Sequence, residues 1–129
     1  MHRLLERFGA RRMLLLSLAL AVLRWQLIGL FVDRVAVQIL AQSLHAFSFG
    51  AFHASAIHLA HHYFPGSTQG RGQALYNSVS FGVGGAVGSL TSGLLWSSFG
   101  PTMTFAAASL MAALGWVVAY GYVDRARRY

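Results

Sequence analysis

The chain has 129 residues, of which 56% are hydrophobic and 10% charged, where a soluble domain carries about half apolar and about a quarter charged residues. A single core of this size cannot hide that excess, so the apolar residues must face something other than water. There is no cysteine, which excludes disulfides and cysteine-held metals, and the net charge of +7 sits on arginines at the ends of apolar runs, a placement unlike that of a nucleic-acid-binding face.

Residues 1–12 form a basic, partly amphipathic lead-in containing Arg3, Arg7, Arg11 and Arg12. It resembles a signal peptide only superficially, because the apolar run behind it is longer than a signal core and lacks a clear cleavage site. Four apolar runs of about 20 residues follow, each long enough to cross about 30 Å of hydrocarbon. They cover about 13–31, 35–60, 75–96 and 103–123, and a basic tail occupies 124–129. Between the first two stands the polar break Asp33-Arg34. The stretch 61–72 holds His62, Pro65, Gly66, Gly70 and Arg71, a turn-rich composition that predicts the longest loop, and 97–101 predicts a tight turn. An even number of spans puts both termini and the 61–72 loop on one side. That side holds Arg3, Arg7, Arg11, Arg12, Arg71, Arg125, Arg127 and Arg128, whereas the opposite turns hold Arg34. By the positive-inside rule both termini are expected in the cytoplasm, in a multi-pass protein of a bacterial-type inner (plasma) membrane.

Polar groups inside these spans point to function because each costs energy in lipid. Arg24 lies within the first span, where insertion of a central arginine costs about 2.5–3.5 kcal/mol, and no carboxylate lies within one turn of it. It is expected to face a cavity or a partner; the alternative is that its long stem snorkels to the headgroups. On the second span, at 100° per residue, Gln38, Gln42, His45 and His53 fall within an arc of roughly 80°, with Ile39, Leu40, Leu44 and Phe47 outside it. That stripe predicts the lining of a substrate path, with His45 able to donate, accept or carry a proton. A histidine bonded structurally to a neighbouring helix is the other reading.

His58, His61 and His62 have the i, i+3, i+4 spacing of metal ligands, but without an acidic or cysteine partner they read as a solvated helix end, so no metal is expected. On the third span Ser80, Gly84, Gly88 and Ser92 recur every four residues beside a second series, Gly85, Ser89 and Gly93. Small residues at that interval let helix backbones approach closely in lipid. Gln73, Tyr76, Asn77 and Ser80, at the start of that span, are open to substrate contact or to structural hydrogen bonding. The fourth span offers Thr102, Thr104 and Ser109, and its Trp116, Tyr120 and Tyr122 match an aromatic belt at the inner interface. All histidines within the spans lie on the second one, which does not suit axial ligation of a haem from two helices. No cofactor is implied, and nothing points to an enzyme.

Several short motifs, in order, carry a resemblance. Glu6-Arg7-Phe8-Gly9-Ala10-Arg11-Arg12 is similar to the acidic-Arg-x-Gly-x-Arg-Arg core of the cytoplasmic loop motif of the major facilitator superfamily, without that motif's leading glycine half. Gly93-Leu94-Leu95-Trp96 followed by Phe99-Gly100 resembles that superfamily's ending of helix eleven, with Ser97 where an acidic residue is common. The chain thus resembles helices nine to twelve of a twelve-helix transporter. Val22-Leu23-Arg24-Trp25, Leu44-His45 and Gln73-Ala74-Leu75-Tyr76 resemble the lactose permease group, especially its phenylpropionate permease branch. In that group a substrate- and proton-linked arginine lies on helix nine and a histidine on helix ten, where Arg24 and His45 stand here. One turn beyond the histidine the group has a proton-accepting glutamate, and this chain has Ser48.

The expected fold is therefore all-α: four transmembrane helices forming part of the C-terminal bundle of a major facilitator fold. The resemblance implies a portion of a secondary active transporter, a proton-coupled symporter for a small organic solute such as an aromatic carboxylate. Its expected partners are the lipid bilayer, the substrate and the missing N-terminal helices of the same transporter, with no nucleic acid. Arg24, His45, Gln42, Gln38, His53, Tyr76 and Asn77 are the expected substrate or proton residues, and Ser80, Gly84, Gly88 and Ser92 the packing residues. The alternative is a small four-span protein that oligomerises into a channel or exporter.

Overall fold

A computed structural model describes residues 2–123; the basic tail at 124–129 lies outside the described residues. A short helix, α1 (His2–Phe8), stops at Gly9, whose φ of 80° is a conformation that a side chain resists, and the chain turns there into α2 (Ala10–Leu30). At the far end of α2 the Phe31 carbonyl accepts hydrogen bonds from the Arg34 N–H and from Gln38 Nε2, both at 3.0 Å. A helix end leaves such carbonyls open, and this pair closes one of them. The next helix, α3 (Val35–Tyr63), has 29 residues, about 43 Å of helix.

The loop expected at 61–72 is much shorter. His61, His62 and Tyr63 remain helical, a single 3-10 turn covers Gly66–Thr68, and α4 (Gln69–Asn77) begins at once. Phe64 closes the corner by folding onto Gly72, where any Cβ would lie 2.6 Å from its ring. Behind α4 the backbone widens into a π-helical segment, Ser78–Val83, and then continues as α5 (Gly84–Tyr122). The tight turn expected at 97–101 narrows to one residue: α5 stays helical through Phe99 and breaks at Gly100, with φ 78° and ψ −178°. Pro101 starts the second limb of α5, the helix position where its missing N–H is not needed.

That second limb runs antiparallel to α2. Thr102 Oγ1 donates to the Gly29 carbonyl at 3.2 Å, Ser109 Oγ to the Val22 carbonyl at 3.1 Å, and Arg11 to the Tyr120 and Val123 carbonyls at 2.7 and 2.9 Å. Gly29 meets Phe105 so closely that a Cβ there would lie 3.0 Å from the Phe105 Cβ. α2 is the central rod, packed on α3 and on the second limb. The seam of α3 is built from small residues, Ala41, Ser48, Ala51 and Ser55, and widens at Leu59. Leu59 joins Ala10, Leu14 and Ala119 in a buried cluster that ties the three rods at one end.

The first limb of α5 behaves differently. Every residue from 77 to 94 is exposed. Large apolar side chains face outward on the other rods as well, Met111 at 67% and Leu110 at 61% exposure among them, a surface suited to hydrocarbon and not to water. Three helical stretches, Ala10–Leu30, Val35–Tyr63 and Gly66–Tyr122, are long and apolar enough to cross a membrane, and the last is divided at Gly100. The fold is that of an all-α membrane protein, as the apolar runs predict.

Candidate functional site

Arg24 sits on α2 six residues before its Leu30 end, about 9 Å along the axis. It is 6% exposed, and its Nε is buried with no hydrogen-bond partner. Its Cζ lies 3.8 Å from the centroid of the Trp25 ring, whose face attracts a cation. Trp25 in turn stacks on Phe105 of the second limb at 5.7 Å, and Phe105 meets Trp96 edge-on at 5.9 Å. The guanidinium is thus held over an aromatic floor. Arg24 on α2 and His45 on α3, the two polar residues that the sequence singles out, are carried by helices that pack on each other.

From His45 a line of rings runs down α3. Phe49 lies one turn from both His45 and His53, 5.5 Å from the first and stacked on the second at 6.0 Å with an interplanar angle of 6°. His53 Nδ1 and the Tyr76 hydroxyl share a hydrogen bond of 3.3 Å that ties α3 to α4. Phe81, carried by the π-helical segment, closes the group, with ring centroids 6.5 Å from Phe49, 5.9 Å from His53 and 6.1 Å from Tyr76. Two turns beyond His53, His61 Nε2–H donates to Gln73 Oε1 at 3.3 Å. The result is an aromatic wall studded with imidazoles along α3.

Not every residue of the expected stripe joins it. Gln38 spends its amide on the Phe31 carbonyl, while Gln42 and Asn77 are exposed. Ser48 lies in the buried α2–α3 seam at 3% exposure and turns its hydroxyl to the His45 carbonyl at 3.3 Å. His58 and His62 are exposed, and no group of three metal-ligating side chains occurs among the described residues. The small-residue series on the third apolar run meets no other helix among the described residues: Cβ atoms added at Gly85, Gly88 and Gly93 touch nothing within 4 Å, and one at Gly84 touches only the Val79 carbonyl of its own run. Phe49 and Phe81 are the residues that sequence reasoning passes over. Phe49 carries a signal, since it stands four residues from each of two histidines; Phe81 reaches the site through the π-helical segment, which the sequence does not announce.

A buried arginine with an unpartnered Nε and a ring-lined helix face, on rods that show apolar side chains to the outside, suit a membrane path for a solute. The model of the MFS_1 like family matches residues 1–107 of the chain. The chain belongs to that family. This MFS_1 like protein is a multi-pass membrane protein and a transporter of the major facilitator type. The match covers α1 to α4 and runs into the second limb of α5, so it includes Arg24, His45 and the whole ring cluster. No curated protein and no solved structure matches the MFS_1 like chain.

Proposed function

We propose that the chain contributes one wall of the substrate path in a proton-coupled symporter for a small organic anion, an aromatic carboxylate being the class that fits. The observation that carries this reading is Arg24: a cation buried to 6% exposure, with an unpartnered Nε, lying on an indole face. Such a group is costly in apolar surroundings unless an anion completes it. A carboxylate would pair with the guanidinium, and an aromatic body would find the Trp25 ring and the Phe105 ring stacked on it. His45, half-buried on α3 with its ring 5.5 Å from that of Phe49, is the group suited to carry a proton, since Ser48 stands where the lactose permease group has its glutamate. In this reading Gln42, Asn77, His53 and Tyr76 meet solute when the remaining helices of the transporter close the path, both termini face the cytoplasm of a bacterial-type cell, and transporter sites of this kind lie near the midplane between helix bundles.

Replacing Arg24 with Ala is expected to abolish uptake of a radiolabelled aromatic carboxylate by cells expressing the protein, with the amount inserted in the membrane unchanged. Unchanged uptake removes the counter-ion role. A protonophore is expected to halt uptake by the unaltered protein, and uptake that persists refutes proton coupling. The bare face from 77 to 94 also supports a second reading, a four-span protein that self-associates into a channel or exporter.

A further inference from the structure

Away from the Arg24 region, a groove of about 280 Å³ opens on the outer surface between α2 and the second limb of α5, lined by Ala19, Val22, Ala113, Trp116 and Val117. Its walls are four aliphatic side chains and one indole. At one end the Trp116 ring stacks on Tyr120, centroids 5.3 Å apart and 8° from parallel. Beyond Tyr120 stands Arg11, its Cζ 5.2 Å from the Tyr120 ring centroid. An apolar trough, two stacked aromatic rings and a guanidinium therefore follow one another toward the end of the bundle that carries the N-terminal segment.

Charge at that end is one-sided. Arg3, Glu6, Arg7, Arg11 and Arg12 leave an excess of three positive charges on α1 and the first turn of α2, and the Arg3, Arg7 and Arg12 side chains are exposed. Arg11 spends two donors on the Tyr120 and Val123 carbonyls, out of the five that a guanidinium has. Along α2 the groove lies about 12–17 Å from Arg11, comparable with one leaflet of a roughly 30 Å hydrocarbon core.

We propose that this groove is a binding site for an anionic phospholipid, with one acyl chain in the trough beside Trp116 and the phosphate at Arg11 and Arg12. An apolar trough alone would accept any lipid tail. The guanidinium beyond the ring stack selects the anionic headgroup, and the stack between trough and guanidinium spans the depth at which a headgroup passes into hydrocarbon. The site is separate from Arg24 and owes nothing to the transport reading.

The test follows Trp116 fluorescence in the full chain carrying Trp25→Phe and Trp96→Phe, reconstituted in phosphatidylcholine bilayers. Acyl-brominated phosphatidylglycerol is titrated in, and acyl-brominated phosphatidylcholine is titrated separately. Phosphatidylglycerol is expected to reach half-maximal quenching at about one-fifth of the mole fraction that phosphatidylcholine needs, the effect of about one arginine near an anionic surface. Arg11→Gln and Arg12→Gln are each expected to reduce the preference to about twofold, and the two together to bring the lipids level. Ala19→Phe, which fills the trough from an exposed position, is expected to abolish the preference with every arginine in place. Because Arg11 also holds the end of α5, Arg12→Gln and Ala19→Phe decide the matter should Arg11→Gln fail to fold. Equal quenching by the two lipids in the unaltered groove overturns the proposal, as does a preference that neither Arg12→Gln nor Ala19→Phe reduces.

Discussion

At the scale of single residues, Arg24 works against the fold that holds it. Its Nε is buried and unpartnered, and leaving a buried donor unsatisfied costs about 1–3 kcal/mol, more where the group is charged. Arg24→Met keeps most of the stem volume and removes the charge. The expected outcome is a thermal midpoint in detergent that is equal to or above that of the unaltered chain, together with complete loss of carboxylate uptake. A residue kept only for structure would give the reverse, a lower midpoint with uptake retained. Tyr76→Phe asks a milder question, since it deletes the hydroxyl that bonds His53 and keeps the ring against Phe81. A loss of about 0.5–1.5 kcal/mol is expected in chemical unfolding, and no loss at all would mean that the rings alone join α3 to α4. Arg24 and His45 stand out in the sequence because a polar group in an apolar run does so without any knowledge of contacts, and the burial of Arg24 is what the structure adds. Phe49 and Phe81 do not, because an aromatic residue in such a run looks the same whether it meets lipid, a neighbour or a solute. The bond from the Gln38 amide to the Phe31 carbonyl could not be read from its place on the stripe, because that carbonyl is left open only by the way α2 ends.

At the scale of elements, the apolar runs announced the rods, and the places where they bend were harder to read. Gly and Pro mark both 61–72 and 97–101 as breaks, yet α3 extends to Tyr63 and α5 stays helical to Phe99, because a helix keeps its own backbone hydrogen bonds where lipid offers none. Only Gly100 leaves helical geometry in α5, at a φ of 78° that side chains avoid. A Cβ there meets no atom within 4 Å, so Gly100→Ala isolates the backbone term: about 1–3 kcal/mol of destabilisation, read as a lower thermal midpoint with no change in expression. The π-helical segment had no sequence signal, since its six residues, Ser78–Val83, read as ordinary helix. A π segment holds one residue more than the α-helix would. Deleting Gly82 should therefore restore α-helical winding and leave the limb beyond it facing as before, because the wide turn absorbs the extra residue; deleting Gly85, in the regular part of α5, should instead turn the rest of the first limb by about 100° relative to α4. Membrane insertion should persist in the Gly85 deletion and uptake should fail, whereas Gly85→Ala, whose added Cβ meets nothing within 4 Å, should keep both. Uptake that survives the Gly85 deletion would show that the orientation of the first limb is not used.

For the whole molecule, the bare helix face from 77 to 94 calls for a cover. Ser80, Gly84, Gly88 and Ser92 keep the four-residue spacing that brings helix backbones together in lipid, yet all four are exposed. Among the described residues the close seam is elsewhere, at Ala41, Ser48, Ala51 and Ser55 on α3. Small residues thus announce contact without naming the partner, and the sequence alone could not tell the two seams apart. Two partners fit: further helices of the same transporter, or a second copy of this chain. Because the chain has no cysteine, Ser92→Cys gives a single reporter on the face. Under mild oxidation in membranes, a self-associating four-span protein would form a disulfide dimer through this position, lost when Gly88→Leu is added to hold the backbones apart. One wall of a transporter would give no such dimer. It would instead crosslink to a cysteine placed on accompanying transporter helices, and Gly88→Leu would abolish that crosslink and uptake together. The transporter reading predicts the second pattern and an unchanged thermal midpoint for Gly88→Leu in the isolated chain, since the added side chain meets nothing there within 4 Å at its Cβ. A symmetric dimer that carries solute on its own would transfer the small-residue face, and the function, to the self-associating protein.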